Sequence, residues 1–333
     1  MDKVRVAIIG FGKMGVLHGA LVNATGLGEV VTIVDKDEKI IKALRRLFHG
    51  RVGIVTSIDE LTDVDAVFIT TPIPTHYALA KSSLKLDIKG LFVEKTLTDS
   101  GVKSKELLKD AMSRDMVNAV GFQKRFIPTF RYLRELVQSV DVSRIKAIKA
   151  YAYSEDFLGV NRSVGLLEPR GGVLRDLASH AIDLLFWLFG YTKAEAHDVS
   201  IEKTNDAPCG EVTVRALIND IDTTVSTSWC KEGYRVPEVG ISIITGGGGE
   251  ITANDYEVVI KNDGNIRKVY AAELEEPVKY LLGAPEYYRE VEEFLKSVML
   301  GKEFGGATFS DAVLVDEFID EALRVYNART SGR

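Results

Sequence analysis

Three ionisable residues lie at helical spacing in a largely apolar segment of the chain. Asp176, His180 and Asp183 are spaced so that, in a helix, they form one polar stripe. Burying three such groups without partners would be costly, so the stripe predicts a polar cleft, a ligand or a compensating network. Histidine is suited to act as a general base because its ordinary pKa lies near neutrality. We therefore expect Asp176 and His180 to be catalytic.

A cation follows a short apolar run elsewhere in the chain. The run 90–93 leads directly into Glu94 and Lys95. If the run is a buried parallel strand, its carboxyl end faces a ligand crevice. An ammonium group there can hydrogen-bond a substrate hydroxyl and stabilise the alkoxide that develops as hydride leaves. The alternative interpretation of Lys95 is a surface ion pair.

The glycine pattern near the start of the chain indicates a bound dinucleotide. An apolar run, 4–9, is followed by G-x-G-x-x-G and then by a segment with helical character. Such a turn lets the backbone and a helix N-terminus approach a pyrophosphate. A second apolar run, 30–34, ends at Asp35, which is placed to accept hydrogen bonds from the ribose. The predicted contacts here are Gly10, Phe11, Gly12, Lys13, Met14, Gly15, Asp35 and Lys36.

The cofactor is predicted to be NAD, because the Asp35 carboxylate would repel a 2′-phosphate; the neighbouring Lys36 leaves NADP possible.

The run 65–70 leads into a turn with two prolines that would line the same cleft. A stiffened turn in which Thr75 caps the next helix is the alternative for this segment. The further predicted cofactor contacts are Thr70, Thr71, Pro72, His76, Glu94 and Gln123.

The elements that must position these residues follow from hydrophobic periodicity. Up to about residue 120, short apolar runs alternate with helical segments, which is typical of a doubly wound parallel sheet. Closely spaced strand-like runs between 211 and 261 favour an antiparallel sheet, and two helices, 285–300 and 310–328, follow. The predicted fold class is α/β, with a Rossmann domain at 1–122 and an α+β substrate-binding and oligomerisation domain at 123–333.

Composition excludes several classes of protein. The net charge of −6 gives no basic surface for nucleic acid. No apolar run approaches the roughly 20 residues that span a bilayer, and no signal peptide is expected, so we predict a cytoplasmic protein without a membrane partner. Cys209 and Cys230 match neither a disulfide framework nor a zinc motif and are interpreted as core thiols. No metal site is predicted.

Taken together, the motifs resemble the Gfo/Idh/MocA oxidoreductase family over nearly the whole chain. They are G-F-G-K-M-G with His18 behind it, Thr71-Pro72 with His76, Glu94-Lys95-Thr96, Val120 to Phe126, and Gly171-Gly172 with Asp176, His180 and Asp183. The resemblance implies that Lys95, Asp176 and His180 are the catalytic trio and that the second sheet mediates oligomerisation. The family usually has proline where this chain has Thr96, which leaves open whether the Lys95–Thr96 bond is cis or trans.

Substrate contacts are expected mainly from the second domain. Arginines suit carboxylates and phosphates, which would indicate an anionic sugar derivative, whereas a solvated loop is the alternative. The predicted substrate contacts are Lys95, Arg125, Tyr153, Arg162, Arg170, Asp176 and His180.

A homo-oligomer, dimer or tetramer, is predicted through a sheet face that carries Val212, Val214, Ala216 and Ile218.

The predicted function is NAD(P)-dependent oxidation of a secondary hydroxyl of a sugar, polyol or sugar derivative. One alternative is NAD-dependent glycoside hydrolysis with retained cofactor. A second alternative is a non-catalytic dinucleotide-sensing or scaffold protein. Retention of Lys95, Asp176 and His180 argues against this second alternative, while Thr96 keeps it open.

Overall fold

A computed structural model of the chain describes residues 2–139, 142–158, 170–191, 193–203, 210–274 and 284–331. The chain divides into two compact units. The first comprises Met1–Gln123 and Val278–Val313, and the second comprises Lys124–Pro277 and Leu314–Arg333.

The first unit contains a six-stranded sheet in which every neighbouring pair is parallel. Its strands are β1 (Val4–Ile9), β2 (Gly28–Val34), β3 (Gly53–Val55), β4 (Ala66–Ile69), β5 (Gly90–Glu94) and β6 (Val117–Gly121). The order β3-β2-β1-β4-β5-β6 is that of a doubly wound sheet, and its switch point lies between β1 and β4. The predicted Rossmann fold is confirmed.

The second unit contains a sheet of eight strands, and its mostly antiparallel pairing confirms the prediction. Its strands are β7 (Ile145–Tyr153), β8 (Ala194–Lys203), β9 (Gly210–Ile218), β10 (Ile221–Ser228), β11 (Glu238–Thr245), β12 (Glu250–Asn254), β13 (Glu257–Asn262) and β14 (Asn265–Tyr270). The order is β14-β13-β12-β11-β7-β10-β9-β8, and the pair β7 and β10 is parallel.

Nine helices lie along the described residues. They are α1 (Lys13–Ala24), α2 (Glu38–Phe48), α3 (His76–Ser83), α4 (Gly101–Met112), α5 (Pro128–Ser139), α6 (Ser179–Phe189), α7 (Ala271–Leu274), α8 (Pro285–Leu300) and α9 (Phe309–Ser331). A π-helical turn, Leu174–Ala178, leads directly into α6. None of the helices within the described ranges is both long and apolar enough to cross a membrane.

Helix α8 belongs to the first unit, although the sequence pattern assigned it to the second domain. It packs on α1 and on β6. Phe294 of α8 makes edge contacts with the rings of Phe68 and Phe92, at centroid distances of 5.2 and 5.6 Å. Gly90 permits the approach, because a Cβ there would lie 2.5 Å from Val298 Cγ2. Amphipathic periodicity identifies such a helix but does not indicate which sheet covers its apolar face.

The sheet face proposed for oligomerisation is buried within this chain, so the premise of that prediction is wrong. Val212, Val214, Ala216 and Ile218 are at most 2% exposed. The side chains that alternate with them on β9, among them Thr213 and Arg215, are half-buried or exposed. The face open to solvent is therefore polar, and the apolar face lies in the core of the second unit.

The cysteine interpretation also needs correction, because Cys230 is disulfide-bonded. The chain has one other cysteine, Cys209, which lies outside the described residues.

Candidate functional site

The glycine turn between β1 and α1 forms a close backbone cradle. Gly10 has φ +87°, and a Cβ there would lie 2.4 Å from Thr71 Cγ2. A Cβ on Gly15 would lie 2.1 Å from the Gly10 carbonyl oxygen, so both positions require glycine. At Gly12 a Cβ would meet nothing within 4 Å, which leaves the space over the helix N-terminus open. No side chain caps the start of α1.

This cradle fits a pyrophosphate, because helix N-terminal N–H groups and open space meet at one point. Lys13 and Met14 begin α1 at its rim, and Lys13 is exposed. The backbone N–H of Phe11 donates to Asp35 Oδ2 at 2.7 Å. That bond ties the carboxylate at the end of β2 to the turn itself, in the position where a ribose-binding acid is needed. Lys36 is exposed beside it.

Thr70 and Thr71 support the turn from the end of β4. The Thr70 hydroxyl lies within hydrogen-bonding distance of two carbonyl oxygens, 3.0 Å from Ile9 and 2.7 Å from Gly10. The Thr75 hydroxyl donates to Thr71 Oγ1 at 2.7 Å, and Pro72 is exposed. Thr75 makes no side-chain cap to α3, so the capping interpretation of this segment is not supported.

His76 is fully buried at the start of α3. Its Nδ1 lies 2.8 Å from the Thr96 carbonyl oxygen and its Nε2 lies 2.7 Å from the Thr71 carbonyl oxygen. Burial lowers the pKa of the imidazole, while these carbonyls and the Glu94 carboxylate act in the opposite direction. The Lys95–Thr96 peptide bond is cis, which answers the question left by the missing proline.

The Glu94 carboxylate is buried behind Lys95. Its Oε1 lies 2.6 Å from His18 Nε2, and its Oε2 accepts a 3.2 Å hydrogen bond from the Lys95 backbone N–H. Gln123, at the end of β6, is also buried and donates to the Tyr287 hydroxyl at 2.9 Å. Glu94 thus has protein partners on both oxygens, and Gln123 is bonded to α8.

In the second unit, Asp176 is held by two donors. Its Oδ2 accepts hydrogen bonds from Arg170 Nη1 at 3.2 Å and from Trp229 Nε1 at 3.1 Å. Arg170 also donates to Asp156 Oδ2 at 2.7 Å, and its guanidinium lies over the Phe157 ring. Arg170 is therefore neutralised by two carboxylates. Trp229 and Asp156 carry no sequence signal for this role, because nothing in their spacing relates them to Asp176.

The polar stripe has distinct environments along its length. Asp176 lies in the π-helical turn, a feature often found at functional sites, and His180 lies in the first turn of α6, 7% exposed. Asp183 is fully buried and accepts two hydrogen bonds from Arg125, at 2.9 and 2.6 Å. The compensating network predicted from the sequence is thus present at Asp183. Its donor is Arg125, the residue whose guanidinium was expected to contact substrate.

The remaining predicted substrate residues lie elsewhere. Tyr153 lies with Tyr151 and Lys149 along a groove of about 480 Å³ in the second sheet, and its hydroxyl donates to Glu211 at 2.8 Å. Burial raises the pKa of the Tyr153 phenol, with the Glu211 contact adding to the effect. Arg162 lies outside the described residues. Within the described ranges, no group of three or more His, Cys, Asp or Glu residues could hold a metal ion.

The doubly wound sheet and its glycine cradle define a dinucleotide-binding unit, and comparison with known proteins agrees with this assignment. Residues 4–122 match the model of the Gfo/Idh/MocA family, described as an oxidoreductase family with an NAD-binding Rossmann fold. This match over the first part of the chain agrees with the resemblance inferred from the motifs.

Curated relatives match parts of the chain. Inositol 2-dehydrogenase of Rhizobium meliloti is 24% identical over 187 residues, which is 56% of this chain and 55% of the relative. UDP-N-acetylglucosamine 3-dehydrogenase of Acidithiobacillus ferrooxidans is 26% identical over 62% of this chain and 61% of its own length. The chain thus spans about half to two thirds of the length of these relatives.

Solved structures extend the likeness in fold over nearly the full length. A levoglucosan dehydrogenase in complex with NADH and levoglucosan superposes with a TM-score of 0.82 at 20% identity, covering 98% of each chain. At this identity the likeness establishes the fold, and it includes both sheets.

Proposed function

We propose that the protein is an NAD-dependent dehydrogenase that oxidises a secondary hydroxyl of a sugar, polyol or sugar derivative. The observation that carries the proposal is that the three residues of the polar stripe have different partners. Asp176 and Asp183 are each bound by an arginine, and His180 lies between them in sequence on the same helical segment. The imidazole is the group of the three whose ordinary pKa suits proton exchange near neutrality.

In the proposed reaction, His180 takes the proton of the substrate hydroxyl, and the hydrogen on the carbinol carbon leaves with its bonding electrons as hydride. Lys95 donates a hydrogen bond to the oxygen and stabilises the charge that develops there. Asp176, fixed by Arg170 and Trp229, orients the reacting groups. A bound nicotinamide would supply the hydride acceptor, and the product is the corresponding carbonyl compound.

For the cofactor, we propose that the first unit binds the dinucleotide and the second binds substrate. The pyrophosphate would lie on the cradle of Gly10, Gly12 and Gly15, and Asp35 would accept from the ribose. This carboxylate supports NAD over NADP, because a 2′-phosphate would place like charges together. Both Arg170 and Arg125 already bind carboxylates, which supports a neutral substrate over the anionic derivative considered above.

We further propose that the chain forms a homo-oligomer through the solvent-facing side of the second sheet. On this side the half-buried Tyr151 and Tyr234 surround the buried Tyr153, whose ring stacks on that of Tyr151 at a centroid distance of 5.0 Å. Tyrosine-rich surfaces with polar partners are typical of protein interfaces. Light scattering tests this, and a monomeric mass at micromolar concentration would contradict it. A cytoplasmic location remains a prediction.

The test of function is a screen of polyols, free sugars, sugar phosphates and nucleotide sugars for reduction of NAD, followed by the absorbance of the NADH that forms in solution. The proposal expects stoichiometric NADH from at least one neutral sugar or polyol. Bond cleavage of a glycoside without NADH release would favour the hydrolase alternative. Tight NAD binding without turnover of any compound would favour the sensor or scaffold alternative.

A further inference from the structure

Arg175 is a buried cation that the proposed reaction does not use. It lies in the π-helical turn Leu174–Ala178, and its side chain is 4% exposed. Its Nη1 donates to Asp316 Oδ1 at 3.3 Å, and its Nη2 donates to Asp320 Oδ1. Asp316 is fully buried and Asp320 is partly exposed. Both carboxylates belong to α9 and are four residues apart, so one face of that helix presents both of them to Arg175.

Stability alone does not account for a charge at this position. A buried ion cluster contributes little net stability, because the cost of removing the charges from water offsets most of their attraction. The neighbouring Leu174 and Leu177 are buried and apolar, so an apolar side chain would suit the same surroundings. What the guanidinium adds is direction, since its rigid fork bonds only where carboxylates lie in the matching geometry. Arg175 therefore fixes how the turn faces α9.

The next residue of the turn, Asp176, faces a different neighbour. Its Oδ2 accepts a hydrogen bond from Trp229 Nε1 at 3.1 Å, and Trp229 directly follows β10. The π geometry of this segment places one residue more in the turn than an α-helix does. A rotation by one residue about the helix axis, about 100°, would move the Asp176 carboxylate away from the indole. The position of Asp176 thus depends on the register of the turn.

From these contacts we propose that Arg175 is a positioning residue, whose bonds to Asp316 and Asp320 hold the π-helical turn in the register that directs Asp176 to Trp229. The proposal rests on the function proposed above, in which Asp176 orients the reacting groups. Arg175 acts through Asp176, since both of its terminal nitrogens are directed at α9.

The experiment compares Arg175→Met with the double variant Arg175→Met, Asp316→Asn. The single variant removes the guanidinium and leaves the buried Asp316 charge without the compensation of Arg175, so it should also lose stability. The double variant removes that charge as well, so stability should largely return while the guanidinium stays absent. The double variant therefore separates charge compensation from positioning, and it carries the test if the single variant does not fold.

Trp229 supplies a readout that needs neither cofactor nor substrate. Its indole N–H gives a signal in a ¹H–¹⁵N NMR spectrum, and this N–H is the group that donates to Asp176. The chain has two tryptophans, so Trp187→Phe assigns both indole signals. Asp176→Ala shows where the Trp229 signal lies when the carboxylate is lost. The second readout is kcat and KM on the substrate found in the screen.

We expect both Arg175 variants to shift the Trp229 signal toward its position in Asp176→Ala. Their kcat should fall by up to about 10²-fold, the effect of a small misplacement near the reacting groups, while KM changes less. Arg215→Met, which removes an exposed pair with Asp198 in the same unit, is the matched control and should alter neither readout. Urea unfolding of each variant establishes that it is folded.

The proposal is overturned if the double variant matches wild type in both the Trp229 signal and kcat, because the cluster would then only balance its own charges. It is also overturned if the Trp229 signal keeps its wild-type position while kcat falls, because Asp176 would not have moved. Failure of the proposed function gives a different result. In that case wild type itself would turn over no sugar or polyol, while the Trp229 signal would still distinguish the Arg175 variants from wild type.

Discussion

Arg125 and Asp183 form a bidentate ion pair inside the second unit. Arg125 Nε donates to Asp183 Oδ2 at 2.9 Å and Nη2 donates to Oδ1 at 2.6 Å, with the side chains 4% and 0% exposed. The guanidinium also lies 5.9 Å from the Trp187 ring centroid. The pair connects the segment after β6 to α6, the helix that carries His180.

Because this pair is buried, removing one partner leaves an uncompensated charge. Arg125→Met should lower the free energy of unfolding by about 3–5 kcal/mol, and the double variant Arg125→Met, Asp183→Leu should recover much of that loss. Urea unfolding of wild type, Arg125→Met, Asp183→Leu and the double variant measures both quantities as a double-mutant cycle. Lys296→Met, which breaks an exposed pair with Glu292 within α8, should cost about 0.5 kcal/mol or less. Equal losses for the buried and the exposed pair would contradict this prediction.

Asp35→Ala should reduce the preference for NAD. The variant loses an acceptor for the ribose and the charge that disfavours a 2′-phosphate. The binding free energy of NAD should therefore weaken by roughly 1.5–3 kcal/mol, and the affinity for NADP should rise relative to the affinity for NAD. Calorimetric titration with both cofactors measures the change. Asp37→Ala, which removes the cap of α2 and no predicted cofactor contact, is the matched control. A wild-type protein that prefers NADP would show that the assignment of Asp35 is wrong.

His180→Ala and Lys95→Ala should each lower turnover by a factor of about 10²–10⁴, the usual effect of losing a general acid–base group. Neither residue lies in the glycine turn, so NAD should still bind. Asp176→Asn should be milder if Asp176 only orients, and comparably severe if it sets the protonation of His180. The measurements are kcat and KM on the substrate found in the screen, with the exposed His197→Ala as control. Near wild-type rates in both alanine variants would exclude the catalytic assignment.

His76 predicts a pH dependence of stability. Its pKa in the folded protein lies below the ordinary value of 6.5, chiefly because the ring is buried. As pH falls through that value, the unfolded chain binds a proton first, so stability is fully present above pH 6.5 and declines toward the folded-state pKa. Urea midpoints measured between about pH 5 and 8 should fall more steeply on acidification for wild type than for His76→Gln. Parallel curves would contradict this prediction.

Much of the first unit follows from the sequence because its signals are local. Each signal consists of a strand and the residues directly after it: the glycine turn after β1, Asp35 after β2 and Lys95 after β5. Contacts between residues far apart in sequence cannot be predicted in this way. Nothing in the sequence pairs Asp176 with Trp229 or places His76 between two carbonyls, because these contacts depend on the register of β10 and on the path of two loops.

Some elements were missed for similar reasons. Strand β3 is three residues long, and β14 is almost entirely exposed, so neither has a hydrophobic pattern. The polarity of the second sheet was misjudged because alternation shows that β9 has two unlike faces but does not show which face the helices cover.

The contact of α8 with β4 and β5 has a consequence for biosynthesis. Phe294 completes an aromatic cluster with Phe68 and Phe92, yet residues 124–277 separate its segment from the rest of the first unit. During translation, the parallel sheet leaves the ribosome with these rings uncovered, and closing the cluster must wait for a long intervening chain. A nascent chain stalled before α8 would expose apolar surface that invites aggregation or chaperone binding. The dinucleotide-binding unit is thus completed only near the end of synthesis, after most of the other unit has already emerged.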